Sequence, residues 1–336
     1  MNLNRKRFVV ALGVKPGIEV NAYNAYRAGK APSLTPKSLQ GITGVRHTKE
    51  GIFLDSTRMK GDIFEGLSTI GFIVKHPKQV WRVSAERIAV IKKLNSLGFK
   101  IAVPKYLFTD QKLVDRVPKY NKVFKARSGK IGTINGVEVI APSALWTRDL
   151  WIKHNNKRFK VGSNMFDAFG EGGQVVLVGE RHMIASENLR SSHTVRKLAS
   201  EGIVFHFVKD GWQEIHNLSK IVGKPIFRNI DHPDLFVGRA GGVLLVDPLF
   251  FKENSGILSS VSRQLGTKIL TVPIEEASIY PANFLVLGEN TIMIDKDAKR
   301  TIELLKQNGV NVIPTPVSLR ANRASGGGVR CFVNEL

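Results

Sequence analysis

Phe284-Leu285-Val286-Leu287, Thr291-Ile292-Met293-Ile294, an amphipathic run over 298–308 and then Gly309-Val310-Asn311-Val312-Ile313-Pro314 make up the stretch from which the fold is read. The two apolar runs lie three residues apart, the spacing of a hairpin. The run after them repeats its apolar residues at helical period. Glycine just past a helix end is the residue that turns the backbone left-handed and stops the helix. A β-branched strand ending at proline completes the unit, which is β-β-α-β.

Working outward, the same unit recurs upstream. A helix over 255–265 leads into Gly266-Thr267-Lys268-Ile269-Leu270-Thr271-Val272-Pro273, preceded by strands over 235–237 and 243–246. A helix over 188–201 leads into Gly202-Ile203-Val204-Phe205-His206-Phe207-Val208, preceded by strands over 174–178 and 182–185. A helix over 84–97 leads into Gly98-Phe99-Lys100-Ile101-Ala102-Val103-Pro104. A fifth, degenerate copy is expected within 137–172. Such repeats stacked in a closed ring bury each strand set against its neighbours and bring the loops at the strand ends together over a central channel. The predicted class is therefore α/β, a five-fold pseudo-symmetric ββαβ propeller whose last repeat ends in a strand holding the only cysteine, Cys331. An open doubly wound sheet is the rival, and the hairpin spacing within each unit favours the ring. Residues 1–65, rich in Gly, Pro, Lys and Arg, are expected to be a basic extension with little core of its own. Residues 66–336 form the predicted main domain, with a basic insertion over about 106–136 that carries turn signals at Ser128-Gly129 and Asn135-Gly136.

The chain has 336 residues, 43% of them hydrophobic, enough to bury a large core. One cysteine excludes an intramolecular disulfide framework, and no Cys and His cluster has zinc-site spacing, so neither a metal nor another cofactor is expected. A reducing, cytoplasmic setting follows by default. The basic start followed by Phe8-Val9-Val10-Ala11-Leu12-Gly13-Val14 mimics a signal peptide but reads as a strand behind a basic leader. No apolar run reaches the roughly 18 residues of a membrane span. A formal net charge of +22 attracts polyanions, so nucleic acid is one candidate partner, and a solubility role explains the charge equally well. A homo-oligomer is also expected.

Four segments carry chemistry. Trp146-Thr147-Arg148-Asp149 sets a carboxylate beside an arginine, either a surface ion pair or a functional acid. Gly170-Glu171-Gly172-Gly173 places an acid where the backbone has been cleared of side chains, or in a tight turn. Asp231-His232-Pro233-Asp234 puts a His two residues before an Asp, on one side of an extended backbone. Ser325-Gly326-Gly327-Gly328-Val329-Arg330-Cys331-Phe332-Val333 reads as a glycine-lined opening, with positive φ available, ahead of a short terminal strand. Alone, the cysteine fits a small buried hydrophobe as well.

Taken together and in this order, over about 69–336, these segments resemble the pentein superfamily of guanidino-group modifying enzymes: arginine deiminases, agmatine deiminases and amidinotransferases. Thr147-Arg148-Asp149 and Gly327-Gly328-Val329-Arg330-Cys331 are most similar to the arginine deiminase forms, and Trp146 to the agmatine deiminases. The resemblance implies Cys331 as nucleophile, His232 as general acid and base, Glu171 as its helper, and Asp149 and Asp234 as clamps for a planar guanidinium. Arg148, Arg190, Asn188, Gly327 and Gly328 would line the substrate site. Asn188 stands where arginine deiminases carry the arginine for the substrate carboxylate; Arg190, Arg320 or Arg323 would have to replace it. The activity implied is hydrolysis of a guanidino group to a ureido group and ammonia, with L-arginine favoured over agmatine or peptidyl arginine. Transfer of the amidino group to an amine is the nearest alternative, and a non-catalytic RNA- or ribosome-binding propeller a further one.

Overall fold

The four glycines of the repeat all do the same thing. Gly98, Gly202, Gly266 and Gly309 take φ of +88°, +89°, +59° and +79°. The residue after each one then hydrogen-bonds back into the last helical turn: Phe99 N to Leu94 O at 3.1 Å, Ile203 N to Leu198 O at 3.2 Å, Thr267 N to Ser262 O at 2.9 Å and Val310 N to Leu305 O at 3.0 Å. This six-to-one closure is the Schellman motif, and it aims the chain from each helix into the following strand. The computed structural model describes residues 7–10, 36–41, 44–55, 79–104, 122–124, 132–134, 137–139, 151–154, 157–160, 172–214, 219–220, 222–230, 232–320 and 327–335. The helices are α1 (Gln79–Ser96), α2 (His193–Ser200), α3 (Pro248–Leu265) and α4 (Lys299–Gln307).

Each helix joins an antiparallel strand pair to a third, parallel strand. Val175–Leu177 and His182–Ser186 pair with Val204–Val208 through α2. Val237–Ala240 and Val243–Val246 pair with Lys268–Thr271 through α3. Leu285–Gly288 and Thr291–Ile294 pair with Asn311–Pro314 through α4. For α1 the pair comes from the two ends of the chain: Arg7–Val10 runs antiparallel to Val333–Glu335 and parallel to Lys100–Pro104. Lys122–Phe124 extends that sheet, and two further hairpins, Gly132–Ile134 with Val137–Val139 and Trp151–His154 with Lys157–Lys160, occupy the insertion and the degenerate copy. The turn signals at Ser128-Gly129 and Asn135-Gly136 lie outside the described residues.

The chain divides into two units, one of Met1–Lys15, Trp81–Lys209 and Asp231–Leu336, the other of Pro16–Val80 and Asp210–Ile230. In the larger unit successive sheets lean on one another. Arg239 donates to Val178 O at 3.0 Å across the first two sheets. Gly238 is bare because a Cβ there would lie 2.5 Å from Ala282 O and 2.8 Å from the Phe284 ring. The sheet of α4 shares a core with α1, in which Leu285, Leu287 and Met293 pack with Phe8, Ile91, Leu94, Phe99 and Phe332. The smaller unit has a four-stranded sheet in the order Gly211–Glu214, Ile226–Ile230, Ile52–Leu54, Val45–His47. Phe53 stacks on Phe227 at 4.8 Å there, with the Arg46 guanidinium 5.0 Å over its ring. The architecture is mixed α/β with several small sheets, and no strand order among the described residues closes into a ring.

One expectation is corrected, and one element is longer than expected. The cysteine is not on a terminal strand: Val329–Phe332 is one helical turn, and the strand starts at Val333. The β-branched flanks favoured a strand, but Val329 and Phe332, three residues apart, both enter the core of α1, which a turn allows and an alternating strand does not. The helix expected from 255 follows a kink at Asn254 (φ −125°, ψ 17°), and a further helical segment from Pro248 precedes that kink.

Candidate functional site

Asp234 sits in the 3-10 turn Pro233–Leu235, immediately ahead of strand Val237–Ala240. Proline at the first position suits a turn that begins without a free N–H, and His232 O accepts from Leu235 N at 3.1 Å. The turn replaces the extended backbone expected for His232 and Asp234, so the alternation that would put them on one side does not operate. Asp234 is fully buried and His232 half-buried. The turn Gly172–Gln174 packs against the turn that holds Asp234.

Asn283 holds the matching place in the next sheet, just ahead of strand Leu285–Gly288. Tyr280, the only non-glycine with positive φ among the described residues, turns the chain at φ 51°, and Asn283 N donates to Tyr280 O at 3.0 Å. The Asn283 side chain then bridges two segments. Its Nδ2 donates to Asp234 O at 2.9 Å and to Asp234 Oδ2 at 3.2 Å, while its Oδ1 accepts from Cys331 Sγ at 3.3 Å.

Cys331 reaches this amide because the helical turn Val329–Phe332 is pinned at both ends. Cys331 N donates to Gly328 O at 3.3 Å and Arg330 N to Asn283 O at 3.4 Å. The Arg87 guanidinium of α1 lies 4.9 Å over the Phe332 ring. Gly328 is extended, at φ −92° and ψ −163°, so positive φ is not why glycine stands there. A Cβ would lie 2.7 Å from Asn283 Oδ1 and 3.1 Å from Asn283 Cβ. Close approach is the reason, and Gly327 beside it is buried too.

Two expected substrate residues lie elsewhere. Asn188 and Arg190 are exposed, around the 3-10 turn Glu187–Leu189. Asn188 N donates to the Ser186 hydroxyl at 3.4 Å. Arg190 pairs with Glu187 at 2.8 Å and lies 4.4 Å over the Phe207 ring. The hydrogen bond it donates to Glu187 holds its guanidinium above the usual arginine value. Arg320 faces Asp297 at 3.7 Å. Arg148, Asp149, Glu171 and Arg323 lie outside the described residues. Asn283 was not among the sequence candidates; aligning the repeats by their first strands would have found it, since it stands two residues before its strand as Asp234 stands three before its own.

A cavity of about 1240 Å³ opens at the other end of the strands, where hairpin turns converge: Glu180 and Arg181, Gly241 and Gly242, Glu289 and Asn290. Asp234 and Asn283 precede their first strands, whereas these turns follow them, so the cavity and the Asp234–Asn283–Cys331 cluster occupy opposite ends of the same sheets. Arg330 and Phe284, the chain neighbours of Cys331 and Asn283, line it.

This mixed α/β architecture of small repeated sheets is shared with a solved structure. An amidinotransferase of the saxitoxin biosynthetic pathway from Microseira wollei is similar over 98% of this chain and 93% of its own, with a TM-score of 0.54 and 14% identity. The inosamine-phosphate amidinotransferase of Streptomyces griseus matches over 77% and 81%, with a TM-score of 0.48 and 13% identity. Agmatine deiminase of C. jejuni matches over 77% and 88%, with a TM-score of 0.47 and 15% identity. No protein-family model matches the sequence, and no curated protein does. No helix among the described residues is long and apolar enough to cross a membrane.

Proposed function

We propose that the chain cleaves a C–N bond of a guanidino group through covalent attack by Cys331. The observation that carries this reading is the buried Asp234–Asn283–Cys331 chain of hydrogen bonds, which sets a carboxylate and the molecule's one thiol against a single amide. A guanidinium is cationic and fringed with N–H donors, so Asp234 suits its edge, with Asp149 as the second clamp. Its carbon is a poor electrophile and calls for a thiolate. Sγ adds to that carbon; the bond to a terminal nitrogen then breaks as that nitrogen takes a proton from His232 and leaves as ammonia, so the rest of the substrate stays on sulfur as a substituted thiouronium. Water deprotonated by His232 adds next, the C–S bond breaks, and the ureido product leaves with the thiol restored. Glu171 would orient His232, and the five sheets of a propeller would surround the site. L-arginine is the first substrate of this reading, giving citrulline and ammonia, with agmatine and peptidyl arginine next.

A second reading has the substituted nitrogen leave and replaces water by an amine, so that the amidino group is transferred. In its favour, the Microseira wollei protein that shares the fold over nearly the whole chain is an amidinotransferase. The test is product analysis with arginine or agmatine, with and without added amines, beside Cys331→Ser. Turnover is expected to fall about a thousandfold or more in the variant, and the intact mass of the wild type to show a covalent adduct. Ureido product without an added amine assigns the hydrolase. Product only with an amine assigns the transferase. Neither product nor adduct overturns both and leaves RNA binding by the basic surface as the role.

A further inference from the structure

We infer that Asn283 is a positioning residue that fixes Sγ and holds Cys331 as the neutral thiol while the site is empty; its catalytic consequence rests on the nucleophile role proposed above. The orientation of the amide follows from its neighbours. On one side it meets two acceptors, Asp234 O at 2.9 Å and Asp234 Oδ2 at 3.2 Å, which only the NH2 end can satisfy. The oxygen must therefore face Cys331, 3.3 Å from Sγ, where it accepts from S–H. A thiolate in that place would meet the amide's lone pairs instead of a donor. A hydrogen bond to the protonated form opposes ionisation, and Asn283, only 2% exposed, has little water to take its place. The backbone holds the amide in position: Asn283 O accepts from Arg330 N, and the missing side chain of Gly328 leaves room for Oδ1.

The ionisable groups on the elements around this turn include His232 and Asp234 ahead of Val237–Ala240, Arg82, Glu86, Arg87, Lys92 and Lys93 on α1, Arg7 on the strand paired with Val333–Glu335, and Arg330 and Glu335 in the segment of Cys331 itself. All of them persist when Asn283 is changed, so variants at this one position report on the amide.

Because the chain has one cysteine, its thiolate can be titrated by ultraviolet absorbance, with Cys331→Ser subtracting the tyrosines. Asn283→Ala removes the facing oxygen, and the titration midpoint is expected to fall by about one pH unit. Asn283→Asp puts a carboxylate in the same space, and the midpoint is expected to rise by about one unit or more. A residue that only fills space would not move the two variants in opposite directions. Gly328→Ala, whose methyl would displace the amide, gives the same fall as Asn283→Ala and serves if that variant does not fold. Midpoints that stay put, or move the same way in the Ala and Asp variants, overturn the inference. The titration needs no turnover: opposite shifts in an inactive protein would leave Asn283 in its role and sink the proposed function alone, whereas static midpoints in an active one would do the reverse.

Discussion

Asp247 carries a conflict within one side chain. Its Oδ1 caps α3 by accepting from Leu249 N at 2.9 Å and Phe250 N at 3.0 Å, which favours the carboxylate. Burial works against it and wins, pushing the carboxyl up to about 6. The folded state thus holds this proton more tightly than the unfolded chain, whose carboxylate titrates near pH 4. Its contribution to stability is fully present below about pH 4 and is lost as pH rises to about 6. Asp247→Asn keeps the capping oxygen and cannot ionise, so it should gain about 2 kcal/mol over the wild type near pH 8 and nothing near pH 4. Denaturant unfolding at the two pH values checks this, and an equal effect at both would refute it. At this scale the sequence displays what titrates or reacts. Asp234 and Cys331 stand out by residue type and spacing, but Asn283, which joins them, is a neutral amide in an apolar run and becomes visible only when two sheets are placed side by side.

At the scale of elements, α4 starts without a cap of its own. Ala298 offers no side-chain acceptor, and the buried carboxylate of Glu276, from the 3-10 segment Ile274–Ile279, takes that place from outside. It accepts from Arg300 N at 2.8 Å, from Thr301 N at 2.9 Å and from the Thr301 hydroxyl at 2.7 Å. Glu275 next to it pairs with the Arg300 side chain. Glu276→Ala leaves three donors without this acceptor and should cost about 2–3 kcal/mol, with a fall in Tm. Glu276→Gln retains an acceptor and should cost about half as much. Thermal unfolding of the two variants decides, and equal losses would show that the carboxylate's packing matters more than its bonds. The contrast with the far ends of the helices explains what the sequence discloses. A Schellman glycine is local, so all four helix ends were visible as Gly98, Gly202, Gly266 and Gly309. A cap supplied from about twenty residues away is not local, and neither is the break at Asn254, whose side chain accepts at 2.8 Å from the N–H of Lys209, the residue just after strand Val204–Val208.

Across the larger unit, the chain's two ends make a single element pair. Arg7–Val10, within the stretch read as a basic extension, lies between Val333–Glu335 and Lys100–Pro104, with Phe8 opposite Glu335 and Ile101. Local patterning reads a strand from Phe8 onward but cannot announce its partners, which lie about ninety and more than three hundred residues away. The helical turn bearing Cys331 leads directly into Val333–Glu335, so the strand at the start of the chain, paired with Val333–Glu335, also braces the thiol's segment. Phe8 is the anchor: it is 1% exposed and meets the Phe99 ring edge-on at 5.3 Å. Phe8→Ala should therefore cost about 3–5 kcal/mol, a large share of the stability of an ordinary domain. The loss should have a spatial signature, with hydrogen exchange accelerating in Val333–Glu335 and Lys100–Pro104 before it does in Lys268–Thr271, two sheets removed. Uniform acceleration would mean that the larger unit opens as one body. Protection that is lost only at the paired strands would mean that the ends of the chain unzip first and release the turn that holds Cys331.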